Sequence, residues 1–109
     1  MTDADLTVTT VGDGVARLSW SPEQPVEAVR AEVEAALAGH ARVEAWVDPD
    51  DVPAQRVATW SGLRREGVMR GVTVDGEQVD RIVYARLRSD TPINEPGGFR
   101  ALLNSFLPR

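Results

Sequence analysis

The 109-residue chain has no cysteine and no lysine. Without cysteine it can form no disulfide, no thiolate nucleophile and no thiolate metal site. Without lysine it has no Schiff-base amine and no phosphate-loop ammonium, since all 12 basic residues are arginine. A GC-rich coding bias, which also favours Ala, Val and Gly, is the plain explanation of that usage. Long apolar runs are missing too, so neither a signal peptide nor a membrane span is expected, and a cytoplasmic protein without a membrane partner is the starting assumption. Cation excess is absent as well. A formal charge of −5 opposes phosphate-backbone binding, which excludes nucleic acid as the expected partner.

What is present suits one domain with a single core. "LTVTTVGDGVARLSW" reads as two strands around Gly12-Asp13-Gly14, with Ala16, Leu18 and Trp20 alternating against Arg17 and Ser19. "SPEQPVEAVRAEVEAALAG" reads as a helix. Pro25 is placed at its first helical position, with Glu27 in the first turn, and Gly39 is expected to supply the stop. Val26, Val29, Val33, Ala36 and Leu37 make its apolar stripe. "ARVEAWV" follows as a strand with Val43, Ala45 and Val47 on one face and Trp46 on the other, which suggests an interior strand covered twice. Strand, helix and strand in this order predict a right-handed crossover between parallel neighbours.

Asp50 or Asp51 can cap a second, shorter helix, with Pro53 in its first turn and Val57 and Trp60 on one side. Gly62 is expected to end it in a left-handed conformation, with Leu63 folding back onto Val57 and Ala58. Gly67 then opens a long hairpin around Asp75-Gly76, the strongest turn signal in the chain. The fold class is therefore α/β: a twisted, mostly antiparallel sheet with one parallel crossover and helices on both faces. Residues 1–90 form the domain, and 91–109 read as a Pro/Gly linker with a short apolar helix through Phe99, Leu102, Leu103, Phe106 and Leu107. That segment is either a docking helix or the start of a covalently linked further domain.

Candidate functional groups are few. His40, the single histidine, follows a helix end, where its ordinary job is to serve the helix terminus. Asp48, Asp50 and Asp51 lack the glycine and distal glutamate of a calcium loop, so capping and solvation are expected and no metal is. Trp20, Trp46 and Trp60 are read first as core, with an exposed pair of Trp46 and Trp60 marking an interaction site. Arg56, Arg64, Arg65 and Arg70 cluster along the sequence and could grip a phosphate, with Glu66 as a local carboxylate partner for a merely solvated face.

The run from Asp51 to Gly67, "DVPAQRVATWSGLRREG", together with "DGEQVD" ending on Asp80, resembles the C-terminal half of the GNAT N-acetyltransferase fold. The branch it is most similar to is that of the ribosomal-protein N-terminal acetyltransferases, where a strand, an Asn, a helix of the type S-x-R-V-A-x-K-x-G-F, x-x-E-G and a hairpin follow in order. The resemblance covers roughly residues 15 to 88. It implies coenzyme contacts at Trp20, Ser21, Asp51, Ala54 and Arg56, the last at the adenosine end.

The departures matter as much. The resemblance implies a further strand and helices ahead of this half, forming much of the acceptor side, and they are not expected within these 109 residues. The phosphate loop of the family is glycine-rich, whereas "WSPEQPVEA" has no glycine, two prolines and Glu23 and Glu27. Asp51 replaces the Asn that would donate to a pantetheine carbonyl, and Ala58 stands where other branches carry a catalytic Tyr. No catalytic residue is assigned. No cofactor is assured by these residues, and acetyl-CoA is the one the resemblance leaves open. The expectation is a degenerate module that binds or docks, of the kind fused ahead of Nudix hydrolase domains. An acyl-CoA-dependent N-acetyltransferase completed by a partner subunit and a structural homodimer remain as alternatives.

Overall fold

The computed structural model describes residues 6–90. They form β1 (Leu6–Gly12), β2 (Val15–Trp20), α1 (Val26–Gly39), β3 (Arg42–Val47), α2 (Val52–Trp60), β4 (Arg64–Val74) and β5 (Glu77–Leu87). The strands make one five-stranded sheet in the order β1-β2-β3-β5-β4. Only β2 and β3 pair in parallel, on either side of the α1 crossover; every other pair is antiparallel. The expected α/β class and strand directions are those observed. The linker and short helix expected over 91–109 lie outside the described residues. Among the described residues no helix is long and apolar enough to cross a membrane.

The two-residue period of a strand decides where the core sits. Ala16 is in register with Val43, Ala45 with Tyr84, and Val47 with Ile82, so these side chains share one face. Val29, Val33, Ala36 and Leu37 of α1 and Ala58 of α2 close the same cluster. Each large aliphatic residue so buried stabilises by about 1.5–3 kcal/mol, and truncating Leu18 to Ala would cost about 2–5 kcal/mol. Both helices therefore lie on one face. The expectation of helices on both faces is met on one only, among the described residues. Trp46 prompted it, and Trp46 is covered on the opposite face by a side chain, Arg17, instead of a helix.

Both ends of α1 differ from the expectation. Pro25, with extended dihedrals (φ −71, ψ 152), is the N-cap and Val26 the first helical residue. Its carbonyl takes the amides of Ala28 and Val29 at 3.0 and 3.3 Å. At the other end Gly39 is the last helical residue and does not enter the left-handed region. His40 caps instead: its Nδ1–H donates to the Ala36 carbonyl at 2.9 Å, satisfying an acceptor that a left-handed glycine turn would otherwise serve.

The second helix follows its sequence signals closely. Asp51 is the N-cap and accepts from the Ala54 amide at 3.0 Å. Gly62 turns left-handed at φ +95, and the Leu63 and Gly62 amides donate to the Ala58 and Thr59 carbonyls, both at 3.1 Å. This is a Schellman closure, completed by Leu63 and Ala58 buried together. Trp60, expected inward beside Val57, is 53% exposed; the inward positions are Ala54, Val57 and Ala58.

In the hairpin, Asp75 and Gly76 both have positive φ (52 and 83), the signature of a type I′ turn. β4 begins at Arg64, so Gly67 does not open it; Gly67 sits at the first of two register shifts, and a Cβ there would meet nothing within 4 Å. The second shift, between Met69 and Val72, is held by Gly71, whose amide donates to Asp80 Oδ1 at 3.0 Å. Asp80, a motif position of the resemblance, thus fixes a bulge.

Candidate functional site

Pairing between β2 and β3 runs from Val15↔Arg42 to Arg17↔Glu44 and goes no further. Beyond it the two strand ends are separated by a cleft of about 120 Å³, lined by residues that include Leu18, Trp20, Trp46, Asp51 and Ala54. A smaller one of about 50 Å³ adjoins it and shares Trp20, Asp51 and Ala54, with Pro22, Pro53 and Val57. Of the five positions assigned by resemblance, the structure brings Trp20, Asp51 and Ala54 together. Ser21 follows Trp20 directly, and its hydroxyl is buried with no hydrogen-bond partner. Arg56 is not part of this group. It lines a separate cleft of about 250 Å³ on the outer side of α2, with Val52, Trp60 and Tyr84. Ala58 is fully buried in the core and lines none of these clefts, so the position of a family tyrosine offers no acid here.

The start of α1 beside the cleft is poor in donors. Pro22 and Pro25 have no amide hydrogen. The Gln24 amide is taken by the Ser21 carbonyl at 3.1 Å, and the Ala28 amide by Pro25. Glu27 is in the first helical turn, and Glu23 is exposed just before it. A helix N-terminus attracts anions through free amides and its dipole; here the amides are depleted, and two acidic residues at the helix start disfavour a further anion.

The face of the sheet opposite α1 and α2 holds a cluster that alternation alone did not reveal. Glu44, 8% exposed, receives Arg17 Nη2 at 2.8 Å and Arg17 Nε at 2.9 Å. Trp46 Nε1 donates to the same carboxylate at 3.1 Å, and Arg42 Nη2 at 3.2 Å. Arg42 also forks onto Glu66, with Nη1 at 3.0 Å and Nη2 at 2.9 Å. The Glu66 hydrogen bond is the main reason the Arg42 guanidinium is held above its ordinary range, against the opposing effect of burial. A shallow groove of about 440 Å³ runs over this cluster, bounded also by Val68, Met69 and Val83. Its charges neutralise one another, so it presents no net attraction for an anion or a cation. The signal that could have found it is the parallel register, which sets Arg17 beside Glu44.

The other candidates separate. Glu66 pairs with Arg42, not with the sequence-adjacent arginines. Arg64 reaches Asp90 at 3.9 Å, Arg70 lies at the second bulge and Arg56 on α2, so the structure does not gather them into one phosphate grip. His40 holds the Ala36 carbonyl through Nδ1–H, which leaves Nε2 to accept from the Thr10 hydroxyl at 2.9 Å in the neutral ring. Asp48 accepts the Asp50 amide at 2.8 Å, and Asp51 caps α2. No group of three or more metal-ligating side chains occurs among the described residues.

No family model and no curated protein matches the chain. Solved structures do match it in fold. A Mycobacterium smegmatis RimJ in complex with CoA-disulfide is 21% identical with a TM-score of 0.63, over 92% of this chain and 53% of that one. A GCN5-related N-acetyltransferase from Brucella melitensis is 22% identical with a TM-score of 0.64, over 94% and 51%. The ribosomal-protein-S5-alanine acetyltransferase from Vibrio fischeri is 16% identical with a TM-score of 0.64, over 84% and 55%. The fold is that of the GNAT acetyltransferases, and the chain spans about half the length of each of these structures.

Coenzyme A is the cofactor such a fold implies. The residues present do not fit it. The pyrophosphate would face the depleted amides and the two carboxylates at α1, and a space of about 120 Å³ lies well below the ~300–1,000 Å³ of ordinary ligand pockets.

Proposed function

We propose that this chain is a degenerate acetyltransferase-fold module that binds or docks and does not catalyse. The observation that carries the reading is the start of α1. There Pro22 and Pro25 remove donors, the Gln24 and Ala28 amides are already bonded, and Glu23 and Glu27 oppose a phosphate. Ala58, buried in the core where a general acid would be sought, supports it.

Trp20 and Trp46 line the cleft and make the test direct. Titration with acetyl-CoA, followed by tryptophan fluorescence and melting temperature, is expected to give no saturable change. A saturable, tight shift overturns the proposal.

One observation favours a second reading, an acyl-CoA-dependent N-acetyltransferase whose acceptor half comes from a partner. The parallel strands stop pairing at Arg17↔Glu44 and leave between them a cleft that groups Trp20, Asp51 and Ala54, with an unpartnered Ser21 hydroxyl next to it. This reading requires that coenzyme bind, so the same titration decides between the two.

A further inference from the structure

The face of the sheet opposite α1 and α2 carries apolar side chains beside its charge cluster. Trp46 is in register with Val83, and Arg42 with Leu87, so Trp46, Val83 and Leu87 lie on that face, with Met69 in the groove wall on β4. Leu87 is 40% exposed. Both described helices pack against the core on the other side of the sheet, so among the described residues no helix crosses this groove.

The chain leaves β5 on this side. The Leu87 amide donates to Asp90 Oδ2 at 3.0 Å and the Asp90 amide to the Leu87 carbonyl at 2.9 Å, a turn that brings Asp90 to 3.9 Å from Arg64. Arg64 is in register with Ala85, and Ala85 with Glu44, so Asp90 is turned toward the face that holds the groove. Next in sequence come "TPINEPGG" and then "FRALLNSFLPR". Eight linker residues span at most about 26–29 Å, and the way from β4 across β5 and β3 to β2 is about 14 Å. A helix over 99–107 would be about 14 Å long, with Phe99, Leu102, Leu103, Phe106 and Leu107 on one stripe.

We propose that residues 99–107 fold back as a helix whose apolar stripe lies in this groove, over Met69, Val83 and the part of Trp46 that Arg17 leaves uncovered. The exit of the chain at Asp90 and the reach of the linker both select this segment as the occupant. So does the chemistry of the groove. Arg17, Arg42, Glu44 and Glu66 are already paired with one another, so an apolar helix laid beside them strands no lone charge, whereas a charged ligand finds no net attraction. The segment matches that neutrality, because Arg100 is the one charged side chain between 99 and 107. Whether coenzyme binds has no bearing on this contact, since the groove and the cleft of Asp51 and Ala54 share only Trp46.

Nuclear Overhauser contacts in the full 109-residue chain test it directly. They are expected between the Phe99, Leu103 or Phe106 side chains and the Met69 and Val83 methyls or the Trp46 ring. Leu103→Asp, a change outside residues 6–90, is expected to abolish these contacts, shift the Trp46 indole N–H resonance and speed amide exchange over 99–107 at least about tenfold. Val52→Asp, at a position of α2 that is 47% exposed, is expected to leave all three readouts unchanged. Absence of contacts between 99–107 and the groove overturns the proposal, as do contacts to Val52 and Trp60 in their place. Contacts seen only between copies, in a mixture of labelled and unlabelled chains, also overturn it. So does exchange over 99–107 that Leu103→Asp does not alter.

Discussion

Arg17 lies over the indole of Trp46, with its guanidinium carbon 3.7 Å from the ring centroid, while the same guanidinium reaches Glu44 at 2.8 Å. The stacking covers Trp46 on the face of the sheet opposite α1 and α2, and Glu44 locks it by accepting the Trp46 Nε1–H as well. An apolar ring that looked like evidence for a second helical layer is shielded by a cation from the neighbouring strand.

Glu44 is accordingly the residue whose loss should matter most on that face. Glu44→Ala would leave Arg17 and Arg42 without their shared carboxylate and the indole N–H without an acceptor. The expected cost is about 2–4 kcal/mol, below that of a wholly buried pair because both arginines keep some solvent. Urea unfolding measures it, and a loss under about 1 kcal/mol would show that the cluster contributes little to folding.

Arg42 and Glu66 form the exposed end of the same cluster, and a smaller effect is expected there. Glu66→Gln should cost no more than about 1 kcal/mol, since the Glu66 side chain is 43% exposed. The raised Arg42 pKa contributes stability that is complete below the unfolded arginine value and is lost only as pH climbs through the still higher folded value. Arg42 therefore adds no slope to stability between pH 7 and about 9. Stability curves of Glu66→Gln and the unaltered chain across that range should run parallel.

Two helix ends that look alike in sequence should respond oppositely to alanine. Gly62 has φ +95, and an added Cβ would meet Arg86 Nη1 at 3.4 Å, so Gly62→Ala is expected to cost about 1–2 kcal/mol. Gly39 is helical and a Cβ there meets nothing within 4 Å. Gly39→Ala should be neutral or stabilise by up to about 1 kcal/mol. Thermal melts of the two variants, compared side by side, check the sign in each case.

The difference between those glycines also explains what could be read in advance. The Gly62-Leu63 closure and the Asp75-Gly76 turn are local: a few adjacent residues decide them, and each was legible, whereas the cap of α2 was narrowed to Asp50 or Asp51 and the structure selects Asp51. Gly39 was misread because the competing cap, His40, is equally local and leaves no distinctive spacing. Trp60 was placed inward by its size and its distance from Val57, yet α2 packs through Ala54, Val57 and Ala58, where small side chains let the helix approach the core. The Arg17-Glu44-Arg42 cluster depends on the register of two strands joined through the whole of α1, so its members are 25 and 27 residues from Arg17 in sequence and adjacent only after folding. Of the candidate site, Trp20, Asp51 and Ala54 line one cleft and Arg56 another; their role as coenzyme contacts rests on the resemblance alone.

Asp51 joins the two questions of stability and function, and its variants can separate them. As the N-cap of α2 it accepts the Ala54 amide at 3.0 Å, a role that Asn fills as well as Asp. Asp51→Asn should therefore change stability by no more than about 0.5 kcal/mol, whereas Asp51→Ala should lose about 0.5–2 kcal/mol. The Asn variant also supplies the amide donor that the acetyltransferase resemblance expects at this position and removes a negative charge from the cleft wall. If the obstacle to coenzyme binding is the start of α1, this gain changes nothing, because Pro22, Pro25, Glu23 and Glu27 are untouched. Acetyl-CoA titration of Asp51→Asn is then as flat as that of the unaltered chain. Saturable binding in the Asn variant alone would place the obstacle at the Asp51 carboxylate, and the chain would be one substitution away from holding acetyl-CoA.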